Sequence, residues 1–218
     1  MVFRVLLVEP EDVLYTLPNN YTYLQAFLES IGINPRHQRT VERAMKAAQF
    51  DVFHGRIRRT DYYDAILRFH GVTNANDLPA GREALWGDRT NFQVTIGAIA
   101  GMEALHKAGI HLGLVLNTEH SGEELIELLA QNGFPRNLWA VIATSCEIGQ
   151  IIPDPTIFEA ILKVANCPPK QVMFLTRKIS IVPLVSQLGI QGVAFRPTEA
   201  TTVPRVFSFG ELVDLLTT

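Results

Sequence analysis

The amino-acid sequence predicts an α/β chain: a parallel sheet with a helical insertion after its first strand. Three observations carry this. Short runs rich in Val, Ile and Leu recur at residues 5–8, 112–116, 141–143, 172–175 and 193–195, each the length of a strand buried on both faces. Helical patterns alternate with the later runs, and a βαβα order implies parallel pairing with right-handed crossovers. Between the first and second runs lies a long tract with helical periodicity and almost no strand signal.

In chain order, "VLLV" at residues 5–8 runs straight into "EPEDV", an abrupt polar stop for a buried strand. From about residue 17 to 92, "YTYLQAFLESIG", "TVERAMKAAQFDVFHG" and "TDYYDAILRFHG" are amphipathic helices ending at glycines, and "NANDLPAGREALWGDRT" adds turns and a further helix. The aromatics of "DYYDAILRF" fall at helical spacing, as core residues do. Further on, "SGEELIELLAQNG" has a Ser cap, acids in its first turn and an Asn-Gly stop. "DPTIFEAILKVAN" supplies an Asp cap and a proline at the first helical position. "SIVPLVSQLGI" can start at Ser180, with Pro183 tolerated in the first turn. The division that follows is a core of residues 1–16 and 93–218 with a helical cap at 17–92. There is no internal repeat or low-complexity tract.

Composition narrows the function classes. With 47% apolar and 19% charged residues and a net charge of -3, the chain has no basic field for nucleic acid and no Lys/Arg run for a membrane surface. Its two cysteines, Cys146 and Cys167, have neither metal nor disulfide-framework spacing, which suits a reducing, cytoplasmic location. "MVFRVLLVEPE" is too short and too soon acidic for a signal peptide, and no window reaches about 18 unbroken apolar residues. His37, His111 and His120 show no metal spacing and Cys146 has no base beside it, so these are read as structural.

Open parallel sheets bind ligands at the carboxyl ends of their strands. The loops to inspect are residues 9–12 ("EPED"), 116–119 ("LNTE"), 144–155 and 176–180 ("TRKIS"). These four loops, in this order and spacing, resemble the motifs of the haloacid dehalogenase-like hydrolase superfamily, in its phosphatase-type branch with a helical cap. The resemblance spans nearly the whole chain and implies a Rossmann-like core.

In that family a strand ends in DxDGT/V, whose first Asp is the nucleophile and whose second is the acid/base. A Ser or Thr and a Lys hold phosphate, and further acids hold Mg²⁺ with the first Asp. Here the nucleophile position carries Glu9 and the acid/base position Glu11. Leu116-Asn117 stands for Ser/Thr-Asn, Ile152-Pro153-Asp154-Pro155 for Lys-Pro-Asp-Pro, and Thr176-Arg177-Lys178 for Gly-Asp-Ser. All four motifs are degenerate. A misplacement of about 1 Å can cost about 10²-fold in rate, and Arg177 puts a fixed cation where the family's metal sits.

The resemblance therefore implies a catalytically degenerate, pseudophosphatase-like chain. Its role would be binding, regulation or assembly, with no Mg²⁺ or other cofactor and a protein or small-molecule partner in the cleft between cap and core. The alternative is a divergent hydrolase acting through Glu9 or Glu11 without metal. A Glu9–Arg177 ion pair is expected to replace the metal as counter-charge, with Lys178 facing solvent. Leu116 and Ile152 are expected to leave apolar surface, Asn117 to tie loops together, and the basic run His54, Arg56, Arg58 and Arg59 to be solvated.

Overall fold

The structure is a computed structural model that describes residues 3–18 and 21–218. Six parallel strands form the main sheet: β1 (Val5–Val8), β4 (His111–Leu116), β5 (Trp139–Thr144), β6 (Val172–Thr176), β7 (Gln191–Phe195) and β8 (Arg205–Val206). Their order is β5-β4-β1-β6-β7-β8. β1 lies between β4 and β6, so the connections turn to opposite sides there and a crevice opens at the carboxyl ends of these three strands.

Side-chain alternation explains why "VLLV" is apolar throughout. Leu6 and Val8 join Leu114, Leu116 and Leu175 on one face, under helices α5 (Ala98–Lys107), α6 (Gly122–Gln131) and α10 (Phe209–Thr217). Val5 and Leu7 join Val141, Val172 and Phe174 on the other, under α8 (Pro155–Ala165) and α9 (Val182–Gln187). The sheet is buried on both sides, the environment that near-continuous apolar strands require.

Gly113 of β4 shows how tightly the sheet is filled. A Cβ there would lie 2.7 Å from Val141 Cγ1 and 2.8 Å from Leu7 Cδ2. Gly113→Ala is expected to cost about 1–3 kcal/mol through overpacking, lowering the urea midpoint by roughly 0.5–1 M. An unchanged midpoint in equilibrium urea unfolding would show that the two neighbours yield freely.

Between β1 and β4 the chain forms α1 (Thr22–Ser30), α2 (Gln38–Phe53), α3 (Arg59–His70) and α4 (Leu78–Thr90). They enclose their own cluster, with Leu24, Leu28, Tyr62, Tyr63, Leu67 and Leu85 buried. No side chain of its own caps α1; Asp88 of α4, itself buried, accepts the N–H groups of Tyr23 (3.0 Å) and Leu24 (2.8 Å) instead. At its base this helical segment is bracketed by an antiparallel pair of two-residue strands, β2 (Tyr15–Thr16) and β3 (Gln93–Val94).

The α6 capping box forms as the sequence reads, with Ser121 and Glu124 reciprocally bonded, and Asp154 caps α8. A 3₁₀ turn at Ile179–Ile181 delays α9 to Val182, which brings Pro183 to the helix start. β2, β3 and β8 are too short to give a period-two signal. No described helix is long and apolar enough to cross a membrane.

Candidate functional site

The loop after β1 is a compact turn. The Pro10 carbonyl accepts the N–H groups of Leu14 (2.8 Å) and Val13 (3.2 Å), and Asp12 takes a left-handed φ of 63°. That is a conformation glycine adopts at no cost and Asp tolerates better than most residues. The turn leaves Glu9 pointing into the protein, 3% exposed, and Glu11 standing out into the crevice.

Both oxygens of Glu9 are engaged. Oε1 pairs with the ammonium of Lys178 and Oε2 accepts the hydroxyl of Thr176. The same Thr176 oxygen accepts the Lys178 backbone N–H at 3.0 Å, closing a three-residue ring. This corrects the expected pairing: the counter-charge is Lys178, and Arg177 is half-buried with no ion pair or side-chain hydrogen bond to a described residue. The reason is alternation. Thr176 ends β6 and the chain is still extended at Lys178 (φ -84°, ψ 95°). Positions 176 and 178 therefore face one side and 177 the other. That regularity was readable from "LTRK" and was the missed signal.

The two positions expected to leave apolar surface do not. Leu116 and Ile152 are each 5% exposed and belong to the packed clusters on the two faces of the sheet. Asn117 lies between them, its amide oxygen accepting the Ile152 N–H at 2.7 Å and its amide nitrogen donating to the Ile152 carbonyl at 3.2 Å. The loop is drawn in further where Thr118 N–H donates to Ser145 Oγ at 3.0 Å. Phosphate-holding positions of the resembled motifs are here structural apolar residues.

A second charged cluster joins the helical segment to the loop after β4. Arg89 of α4 donates through Nε (2.9 Å) and Nη2 (3.3 Å) to the two oxygens of Glu119, and the Tyr63 hydroxyl donates to Oε1 at 3.3 Å. Burial pushes the Glu119 carboxyl up, but the Arg89 guanidinium, His120 and the hydrogen bonds the carboxylate accepts together outweigh it and hold it down at about 2. Beside it, Arg59 pairs with Glu124 at 2.8 Å and lies over the Trp86 ring, 4.4 Å from the centroid. Arg59 therefore departs from the solvated reading of its basic run, whereas Arg56 and Arg58 make exposed pairs with Asp51 and Asp61. His120 sits edge-on to Trp86, and burial pushes it below the ordinary imidazole range. No local pattern could have announced Arg89–Glu119, whose partners lie 30 residues apart on different elements.

Glu11 faces a cleft of about 570 Å³ between the strand ends and α2. Its carboxyl is in contact with water but surrounded by protein. Burial pushes its pKa above the ordinary range, against the opposing fields of Arg89 and Lys178.

The donor set does not suit a divalent cation. Glu9 is already satisfied by an ammonium and a hydroxyl, Arg177 supplies no lone pair, and the described residues hold no group of three or more His, Cys, Asp or Glu able to hold a metal. Hard cations need several oxygen ligands converging on one point.

No protein-family model and no curated protein matches this sequence. Solved structures do match its fold. A 2-haloacid dehalogenase from Pseudomonas syringae pv. Tomato superposes with a TM-score of 0.75 at 15% identity, over 99% of this chain and 98% of that one. A HAD family enzyme from Bacteroides thetaiotaomicron, in complex with magnesium and inorganic phosphate, gives 0.65 at 18% identity, over 92% and 98%. A HAD phosphatase from Thermococcus onnurineus gives 0.65 at 16% identity, over 98% of both chains. With its parallel sheet, strand order and near-complete superposition, this chain has the haloacid dehalogenase-like fold.

Proposed function

We propose that this chain is a non-catalytic member of the haloacid dehalogenase-like fold, with α1–α4 as its cap, that binds a partner or small molecule in the cleft beside Glu11. The observation that carries this reading is the Glu9–Thr176–Lys178 ring. Glu9 is positioned where a nucleophilic carboxylate would be, yet its two oxygens are held by an ammonium and a hydroxyl. A carboxylate so neutralised is a poor nucleophile, and the ammonium takes the place a metal ion would need. The cleft survives because its walls come mostly from α2 and the neighbouring helical segment, with Glu11 the altered motif position that lines it. The reading includes the absence of bound Mg²⁺ and a cytoplasmic location, the latter supported by the free thiols of Cys146 and Cys167.

The test is phosphate release from a broad panel of phosphorylated metabolites with Mg²⁺, alongside calorimetric titration of Mg²⁺ alone. No turnover and no binding heat are expected. Turnover that disappears in Glu9→Gln would overturn the proposal.

A metal-independent hydrolase is the second reading, and Glu11 is the observation that favours it. Its carboxyl faces the cleft with no ion pair among the described residues, and burial raises its pKa above the ordinary carboxylate value. Metal-free turnover abolished by Glu11→Gln and retained in Glu9→Gln would establish it over the first.

A further inference from the structure

The cleft beside Glu11 adjoins a second cavity. Arg39, Arg43 and Lys46 recur at helical spacing along the exposed face of α2 that lines the cleft, and none of them forms an ion pair among the described residues. Of the acids around them, Asp88 caps α1, and Glu42, between Arg39 and Arg43 on the same helix, accepts the Gln38 amide at 2.8 Å and keeps its charge, so three cations face one acid along this stretch of α2. Glu11 stands opposite on the core. The α2 wall thus presents three exposed cations, without an ion pair among the described residues, to a half-open, wet cleft, where an anion meets less screening than on a flat surface.

The second cavity, of about 60 Å³, opens within the helical segment among Leu24, Leu28, Val41, Met45 and Ile66, with Arg36 and His70 also on its wall. By the room one water requires, it holds roughly four to six water-sized groups. Tyr21, Gln38, Glu42, Met45 and Tyr62 line both spaces, so the apolar cavity and the cationic wall share a common boundary. Its walls come only from residues of α1 to α3 and the connections beside them, remote from Glu9.

We propose that the two spaces form one binding site for a small amphipathic anion, with an oxyanion head on Arg39, Arg43 and Lys46 and an unbranched apolar tail of about four to six heavy atoms in the α1–α3 cavity. The inference rests on the binding role above and specifies the ligand class. Head and tail act together: the tail fills space that otherwise lacks dispersion contacts, and the head brings an oxyanion to three donors that desolvate with it.

The test is calorimetric titration of the full chain with hexyl phosphate, hexanoate, inorganic phosphate and 1-hexanol. The two amphipathic anions are expected to bind at least tenfold more tightly than phosphate or hexanol. Across a series of alkyl phosphates from propyl upward, each methylene should tighten binding roughly threefold to fourfold, with the gain ending near six carbons. Arg43→Ala should weaken hexyl phosphate about tenfold and leave hexanol unchanged. Met45→Trp, at a half-exposed position lining both spaces, should abolish the chain-length dependence while phosphate binding is unchanged; circular dichroism checks that each variant is folded.

Equal affinity for phosphate and hexyl phosphate, or a chain-length series that ignores Met45→Trp, overturns the inference. Phosphate release is read in the same samples. Hexyl phosphate bound and hydrolysed would overturn the non-catalytic reading and leave the ligand class standing; hexyl phosphate neither bound nor hydrolysed would do the reverse.

Discussion

Lys178→Met is expected to destabilise the protein by about 2–4 kcal/mol. The substitution keeps the aliphatic stem and removes only the ammonium, so the carboxylate of Glu9, 3% exposed, is left with the Thr176 hydroxyl alone. The full penalty for breaking a buried ion pair is moderated because the Lys178 side chain is itself 54% exposed. For a chain of this size the loss corresponds to a fall in Tm of roughly 5–10 °C.

Glu9→Gln alone should cost less, since a half-exposed ammonium that loses its partner can turn to water. Combining Glu9→Gln with Lys178→Met should recover most of the stability lost in Lys178→Met, because no uncompensated charge remains inside. Thermal unfolding of the wild type, the two single variants and the double variant forms a cycle that isolates the pair. Additive losses in that cycle would mean that Glu9 and Lys178 do not interact, and the structural basis for a neutralised nucleophile would be gone.

How far the sequence reaches is clearest at these same residues. The five long strands and their parallel order were legible because apolar runs buried on both faces leave a strong signal, and the four loop motifs were legible because they fall at the strand ends that the topology gathers. The need for a cation beside Glu9 could also be read, since a carboxylate at the end of a buried strand demands one. Which cation supplies it depended on following alternation two residues past Thr176. Leu116 and Ile152 show a different limit: their apolar character was plain, but whether it lined a pocket or filled the core depended on how closely Asn117 draws the two loops together. Arg89 and Glu119 mark the furthest limit, because a pair made between α4 and the loop after β4 exists only once the helical segment has docked.

That docked pair carries the second large effect: Arg89→Leu is expected to cost about 3–5 kcal/mol, lowering Tm by about 10 °C. Glu119 is 7% exposed, and without Arg89 it keeps the Tyr63 hydroxyl and loses its only ion-pair partner among the described residues. The pH dependence gives the prediction a sign. In the wild type the Glu119 pKa falls from 4.5 to about 2 on folding, so the folded state favours the carboxylate. Its stabilisation is complete above about pH 4.5 and is lost as pH falls toward 2, amounting to about 3 kcal/mol across that window. In Arg89→Leu the strongest of the influences that lower the carboxyl is gone, and burial is opposed by His120 and the remaining hydrogen bonds, so this acid-sensitive component should shrink or vanish. Tm measured from pH 2.5 to 7 should therefore converge for wild type and variant at the acid end and separate by about 10 °C at neutral pH. Hydrogen exchange would locate the effect. With Arg89–Glu119 broken, the half-exposed Arg59–Glu124 pair and the Tyr63–Glu119 hydrogen bond still tie the helices to the core, but α3 and α4 should lose protection before β1, β4 and β6 do. Equal loss in helices and sheet would show that the pair stabilises the whole fold and not the docking of its helical segment.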